Sequence, residues 1–307
     1  MDTFIQLTVD GLTLGSVYAL IALGYTLVYG VLKLLNFAHG DVFMVGTFIG
    51  FGMLQLLGGT SNPLVPVWLL LVLVTFAAMA GCAVLGVVIE RFAYRPLRDA
   101  PRIAPLISAL GVSFFLANSM QLLFGAEPRN YNTFALSGGA LYLKGVDIGS
   151  VRVPLLRIIT ISSAFALMVV LWFLVNRTRT GKAMRATSFD REAAAMMGID
   201  IDRVIVFTFI LGSALAGAAG VMFALRVPTN VAVGFIAGLK GFTAAVIGGI
   251  GSIPGAMAGG LILGFAEAYT QGYISTKWSD LFVFSILIGF MIFRPQGLLG
   301  RADIRKV

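Results

Sequence analysis

Few residues in this chain of 307 could carry out covalent chemistry, and those few lack companions. The single histidine, His39, stands in the stretch Asn36-Phe37-Ala38-His39-Gly40-Asp41. An imidazole beside a carboxylate could move a proton, yet no nucleophile or set of metal ligands accompanies it, so catalysis there has no complete machinery. Two other readings stay open. Asn36, His39 and Asp41 form a polar hinge or gate on a pathway, or Asn36 and Asp41 cap a helix while His39 sits at an interface. Glu267, in Gly264-Phe-Ala-Glu-Ala, is a carboxylate inside an apolar run, which is costly unless paired. It either lines a pathway or belongs to a structural pair, with Lys240 as the candidate partner. Gly248 to Gly255 has the glycines of a phosphate loop without the closing Lys-Ser/Thr, so nucleotide binding is not expected. Cys82, a lone cysteine in an apolar run, leaves no disulfide framework and no CxxC metal site. No catalytic residue, metal or cofactor is therefore expected in this chain, and any ATP-driven motion must be powered by another polypeptide.

The elements that position these residues read as membrane helices. The chain is 58 % hydrophobic and 12 % charged, with a mean hydropathy of +0.94, whereas soluble proteins are about a quarter charged. Apolar runs of about 20 residues recur along the whole length, where a β-barrel would show alternating segments of about 10. The fold class expected is an all-α polytopic membrane protein, one transmembrane domain over residues 1–307. Spans are predicted at Gly11 to Leu32, Val42 to Leu57, Val67 to Ile89, Ala104 to Phe124, Pro154 to Val175, Val204 to Leu225, Gly255 to Tyr269 and Leu281 to Phe293. A short or broken glycine-rich helix falls between Arg226 and Pro254, giving eight or nine spans. Small residues recur one helical turn apart at Gly46 and Gly50, at Gly212, Ala216 and Gly220, and at Gly255, Gly259, Gly260 and Gly264, which predicts close helix packing. Asn118 and Gln121 are expected to bond between helices. A loose echo between Gly11 to Gly50 and Gly234 to Gly264 suggests an inverted repeat.

The net charge of +8 follows topology. Arg91, Arg95, Arg98 and Arg102 share one loop, six bases lie in residues 176–203, and Arg294, Arg301, Arg305 and Lys306 are in the tail. By the positive-inside rule these segments are cytoplasmic, the N-terminus is outside and the C-terminus inside, and nucleic acid is not a partner. The N-terminus lacks a basic n-region, so no cleavable signal peptide is expected. Residues 125–153 form an external loop where a soluble partner could sit, with a hairpin expected between Ala140-Leu-Tyr-Leu and the Asp147 to Val153 stretch, turning at Lys144-Gly145.

Residues 176–203 are the longest polar segment with a helical pattern. Ser188 is the expected N-cap, Arg191 and Glu192 occupy the first turns, and Gly198 is the stop. Such a helix has nothing of its own to bury Met196 and Met197 against, which asks for a partner. A helix merely lying on lipid would carry Asp190 and Glu192 poorly against anionic headgroups. Glu192-Ala193-Ala194, three residues, then Gly198 is similar to the EAA...G loop through which ABC importer permeases dock on their ATPases. The expected docking residues are Arg185, Ser188, Asp190, Glu192, Ala193, Ala194 and Gly198.

Four blocks widen that resemblance over nearly the whole chain: Leu12-Thr-Leu-Gly-Ser-Val-Tyr-Ala-Leu-Ile-Ala-Leu-Gly-Tyr-Thr-Leu-Val-Tyr-Gly, Asn36-Phe-Ala-His-Gly-Asp41, Glu90-Arg-Phe-Ala-Tyr-Arg-Pro96 and Phe242-Thr-Ala-Ala-Val-Ile-Gly-Gly-Ile-Gly-Ser-Ile-Pro-Gly255. Together they resemble the LivH-type permeases of high-affinity branched-chain amino acid ABC importers. The resemblance implies a multi-pass subunit of a bacterial inner membrane with a fold like that of ribose and, more distantly, cobalamin importers. It also implies a second homologous permease forming a pseudo-dimer, two cytoplasmic ATPase subunits that bind the ATP, and a periplasmic binding protein delivering leucine, isoleucine or valine. Urea and short-chain amide permeases share the NFAHG block and form the alternative, and an ion-coupled secondary transporter is a further one. The segment departs from other ABC families in lacking the Ile-x-Leu-Pro that often follows the glycine. No charged pair for an amino acid's ammonium and carboxylate is evident in the sequence.

Overall fold

The computed structural model describes residues 2–59, 63–98, 100–101 and 103–300. Of the expected basic clusters, Arg102, Arg301, Arg305 and Lys306 lie outside the described residues.

Helix α1 runs over Asp2–Leu32, α2 over His39–Leu56, α3 over Val67–Ile89 and α4 over Ile103–Phe124. Helix α3 continues as a π turn at Glu90–Tyr94 and a 3-10 turn at Arg95–Leu97. The short helices α5 (Thr133–Leu136) and α6 (Ala140–Leu143) and a hairpin of β1 (Gly145–Ile148) with β2 (Val151–Pro154) fill the next connection. Then come α7 (Leu155–Arg177), α8 (Arg179–Phe189), α9 (Arg191–Met196), α10 (Ile201–Ala224), α11 (Val233–Gly248), α12 (Ile253–Tyr273) and α13 (Ser279–Phe293).

Six helical stretches among the described residues are long and apolar enough to cross a membrane: Asp2–Leu32, Val67–Leu97, Ile103–Phe124, Leu155–Arg177, Ile201–Ala224 and Thr276–Phe293. Helices α2 and α12 are diluted by glycine and polar residues, and α11 has only 16 residues. Burial sorts the helices into two layers. In the most apolar window of α1, 94 % of residues are buried, against 17 % in α4 and 11 % in the Thr276–Phe293 stretch. A helix apolar on every side belongs in a protein core or in lipid, and these two groups take the two options.

Several boundaries differ from expectation. Helix α1 begins at Asp2 because its one deep acidic residue, Asp10, is neutralised by Arg157 and Arg226 at 2.9 Å each. The glycine-rich region is a single short helix, α11, ended at Gly249, whose φ of +100° only glycine adopts without strain. The C-terminal stretch then satisfies the open carbonyls of α11: Leu298 N–H donates to Ile247 O (2.9 Å) and Leu299 N–H to Gly248 O (3.0 Å). The hairpin turns at Gly149-Ser150, with Ala140–Leu143 helical. Glycine at 149, with φ +65°, supplies the left-handed turn that Lys144-Gly145 was expected to make.

An inverted repeat is present with a different division from the one the glycines suggested. Helices α1-α2-α3 correspond to α10-α11-α12: α1 packs on α12 as α10 packs on α3, α1 on α11 as α10 on α2, and α2 on α3 as α11 on α12. The end of α1 lies beside α8 and α9, where α10 begins, so α1 and α10 run in opposite directions. Asn36-Phe-Ala-His-Gly40 at the start of α2 is matched by Asn230-Val-Ala-Val-Gly234 at the start of α11. His39 N–H donates to Asn36 O (3.1 Å) as Val233 N–H does to Asn230 O (3.3 Å). Glycine density misassigned the halves because glycine marks close backbone approach, which recurs at unrelated helix pairs.

Candidate functional site

Two regions gather the functional candidates, one at the end of the bundle carrying α8 and α9 and one inside it. At the first, Thr178 caps α8 by accepting from Gly181 N–H (3.1 Å), and Asp190 caps α9 by accepting from Ala193 N–H (3.0 Å). Ser188 is not the cap. It lies in the last turn of α8, and its hydroxyl donates to Gly30 O (2.6 Å) at the end of α1. Arg191 donates to Val31 O (2.9 Å), and burial with the nearby Arg98 charge lowers its pKa from the ordinary guanidinium range. Arg185 reaches back to Val175 O. These bonds tie the segment to the spans on either side and leave its outer surface open. Glu192 and Ala193 are exposed while Ala194 is buried. Phe189, Met196 and Met197 are exposed at 89, 81 and 82 %, an unpartnered apolar surface. Gly198 ends α9 with a φ of +80°.

Beside this segment lies a charge cluster that the sequence alone did not reveal. Arg98 pairs with both Glu90 and Asp202, and Arg95 pairs with Asp202, joining the turns after α3 to the first turn of α10. Glu90 is 1 % exposed. The basic residues Arg95, Arg98 and Arg191 and the described C-terminal stretch thus share one end of the molecule.

Inside the bundle, Asn36, His39 and Asp41 are all buried. Asn36 Oδ1 accepts from Ala38 N–H (3.1 Å) and from the Tyr94 hydroxyl (3.2 Å), so it caps the approach to α2. Asp41 does not cap. It lies in the first turn, where the helix macrodipole favours an anion, and accepts from Ser113. His39 is away from any interface: it is 1 % exposed, lies edge-on to Tyr25 at 4.8 Å and presses on Gly24, and its Nε2 has no partner among the described residues. The gate reading thus meets a tightly packed imidazole. Asp41 and Ser113 line a cavity of about 400 Å³ with Gln121 and Asn230. Asn118 bonds to Phe114 O of its own helix (2.7 Å), with no link to a neighbour among the described residues, because α4 turns that side outward.

Glu267 is paired. Its Oε1 accepts from Lys240 Nζ (2.7 Å) and Gln271 Nε2 (3.0 Å), and its Oε2 accepts from the Tyr18 hydroxyl (2.8 Å). Lys240 also meets Asp280 at 2.8 Å. Sequence reasoning missed Asp10, Tyr18, Arg157, Arg226, Gln271 and Asp280. The usable signal was that each charge among them stands at the edge of an apolar run, where an unpaired charge is costly.

The expected small residues lie at helix contacts. Gly46 faces the Cα of Gly217, Gly50 faces Tyr131, and Gly212 faces Gly24. Gly220 meets the backbone of α2, and Ala216 is fully buried. Gly255 and Gly259 abut Gly248 of α11, whereas Gly260 and Gly264 abut Ala19 and Gly15 of α1.

The family model for the branched-chain amino acid transport system permease component matches residues 7–291. The chain is 42 % identical to the high-affinity branched-chain amino acid transport system permease protein BraD of Pseudomonas aeruginosa, covering 99 % of this chain and 98 % of that one. It is 41 % identical to the LivH permease protein of the corresponding Escherichia coli K12 system, with the same coverage. The LivM permease protein of that organism is 27 % identical over 95 % of this chain and 70 % of its own. No solved structure matches significantly. Urea and amide permeases gain no support from these relatives.

Proposed function

This chain belongs to the branched-chain amino acid transport system permease family, and from that premise we propose that it is the membrane-spanning subunit of an ATP-driven importer of branched-chain, hydrophobic amino acids. The observation that carries the reading is the near full-length identity of about two in five residues to permeases named for that transport. Its fold is that of ribose- and cobalamin-type importers, with eight or nine membrane passages once α2, α11 and α12 are counted with the long helices. The chain pairs with a second homologous permease, a reading supported by the presence of both a LivH and a LivM permease protein in Escherichia coli K12, and takes substrate from a periplasmic binding protein. It lies in a bacterial inner membrane with its N-terminus outside and its C-terminus in the cytoplasm, since the basic segments share one end of the bundle.

Two cytoplasmic ATPase subunits bind the ATP and grip the surface of Glu192, Ala193, Met196 and Met197. ATP binding draws the two ATPases together and pulls on α8 and α9. Ser188 and Arg191 pass that displacement to the end of α1 through Gly30 and Val31. Helix α1 meets α12 along glycine, where backbones touch without interlocking side chains, so the pair slides and the pathway switches its opening. Glu267 and Lys240 lie beside that seam and hold their charges neutral within it.

The test is uptake into vesicles containing the chain, its partner permease, its ATPases and the loaded binding protein. ATP-dependent accumulation of leucine against a gradient is expected. Equal accumulation by the chain alone without ATP, or by the full assembly for urea but not leucine, overturns the reading.

A further inference from the structure

Four helices, α1, α10, α11 and α12, enclose a cavity of about 200 Å³ at the end of the bundle opposite α8 and α9. It is smaller than the roughly 300–1,000 Å³ of sites for drug-sized ligands. Its walls are of two kinds. Leu14, Phe223, Val227, Val233 and Ile236 form an apolar surface, while Arg226, Lys240, Glu267, Tyr18 and Gln271 supply polar groups.

The hydrogen-bond inventory of those polar groups is incomplete in two places of opposite sign. A carboxylate oxygen accepts two bonds. Among the described residues, Oε1 of Glu267 has two donors, Lys240 and Gln271, but Oε2 has only the Tyr18 hydroxyl. Arg226 donates through Nη2 to Asp10 (2.9 Å), and its Nη1 is buried without a partner among the described residues. A buried, unmatched guanidinium nitrogen is costly in a static protein. The surrounding charges balance, with Asp10, Glu267 and Asp280 paired to Arg157, Arg226 and Lys240. A net charge entering this cavity would stay uncompensated, whereas a zwitterion would not.

We propose that this cavity is a binding subsite in the permease itself for a zwitterionic α-amino acid with a branched aliphatic side chain. The α-carboxylate bonds to Nη1 of Arg226, the α-ammonium donates to Oε2 of Glu267, and the aliphatic side chain packs on Leu14, Val227, Val233 and Ile236. Selectivity would then reside partly in this chain. The proposal rests on the transport reading above and names where in the chain that substrate is held.

Val227 lines the cavity and is 39 % exposed, so Val227→Cys places a reporter thiol at its mouth without disturbing the core. The native Cys82 is buried and does not compete for reagent. In full-length chain in lipid nanodiscs, millimolar L-leucine is expected to slow maleimide modification of V227C about fivefold or more. The single-charge analogues 3-methylbutylamine and 4-methylpentanoate are expected to leave the rate unchanged, and adding Glu267→Gln to abolish leucine protection. Equal protection by all three compounds, which marks an apolar hollow over a purely structural charge network, overturns the proposal, as does no protection by leucine. The analogue comparison needs V227C alone, so a misfolded E267Q does not blunt it. Leucine uptake by the wild-type assembly is measured in parallel: uptake without protection sinks this site alone, and absence of uptake sinks the transport reading.

Discussion

Lys240 Nζ lies 2.7 Å from Oε1 of Glu267, joining α11 to α12 where both side chains are less than a tenth exposed. Removing one member of such a pair strands a charge in a region of low dielectric. Lys240→Ala is expected to destabilise the protein by about 3 kcal/mol, the lower part of the range for buried pairs, because Tyr18 and Gln271 still bond the carboxylate. Replacing both, Lys240→Met with Glu267→Leu, should recover most of that loss. Thermal unfolding of the purified protein in detergent decides it, and a double variant no more stable than the single would show that the pair is not a unit.

At Gly264 the backbone of α1 leaves no room for a side chain, since a methyl group there would collide with the N and Cα of Gly15. Gly264→Val should force the two helices apart and cost about 3 kcal/mol. Gly289 has open space around it, and Gly289→Ala should stay within about 0.5 kcal/mol of the parent or gain slightly from helix propensity. Membrane yield and melting temperature of the two variants provide the comparison.

The exposed surface of α9 predicts a separation of stability from coupling. Glu192→Arg with Met196→Ser changes only exposed side chains, so the melting temperature should be unaltered. Co-purification of the ATPases and transport-coupled hydrolysis should fall about tenfold or more. Retained stoichiometric binding would remove this surface from the docking interface.

In the cluster beside it, burial sets the order of effects. Asp202→Asn removes two pairs, yet its side chain is 47 % exposed, and the loss should be at most about 1 kcal/mol. Glu90→Gln removes the charge from the buried acceptor of Arg98 and should cost about 2 kcal/mol. Denaturation of the two variants side by side tests the ranking.

The hairpin of β1 and β2 carries a pH dependence. The hydrogen bond and charge of Arg152 hold the Asp147 carboxyl below its ordinary range. A depressed folded value means that the stabilisation is complete above the ordinary aspartate pKa of about 3.9 and fades as pH falls through the lower folded value. Amide exchange protection in residues 145–154 should therefore hold from neutral pH to about 4 and weaken only below it. Protection lost already near pH 6 would contradict the assignment.

What was legible in the sequence was local. Helix α3 reads to the residue because Pro66 precedes it and Glu90 begins the basic turn. The shortness of α11 follows from the glycines and Lys240 that interrupt the apolar run. The cap of α9 was misplaced because Ser188 and Asp190 are both good capping residues two positions apart, and only the distant Gly30 carbonyl draws the serine away. The cavity was illegible for the same reason on a larger scale. Arg226 and Asp10 are separated by 216 positions, and no local pattern states that they meet. No pair of charged contacts for an amino acid was evident in the sequence, and the folded chain brings Arg226 and Glu267 to one cavity.

The two corresponding glycines at the starts of α2 and α11, Gly40 and Gly234, press against each other, so the approximate symmetry axis passes where neither half carries a side chain. A bulky residue at either of these two positions would push on the backbone of the opposite half, so a single substitution there would wedge both halves apart.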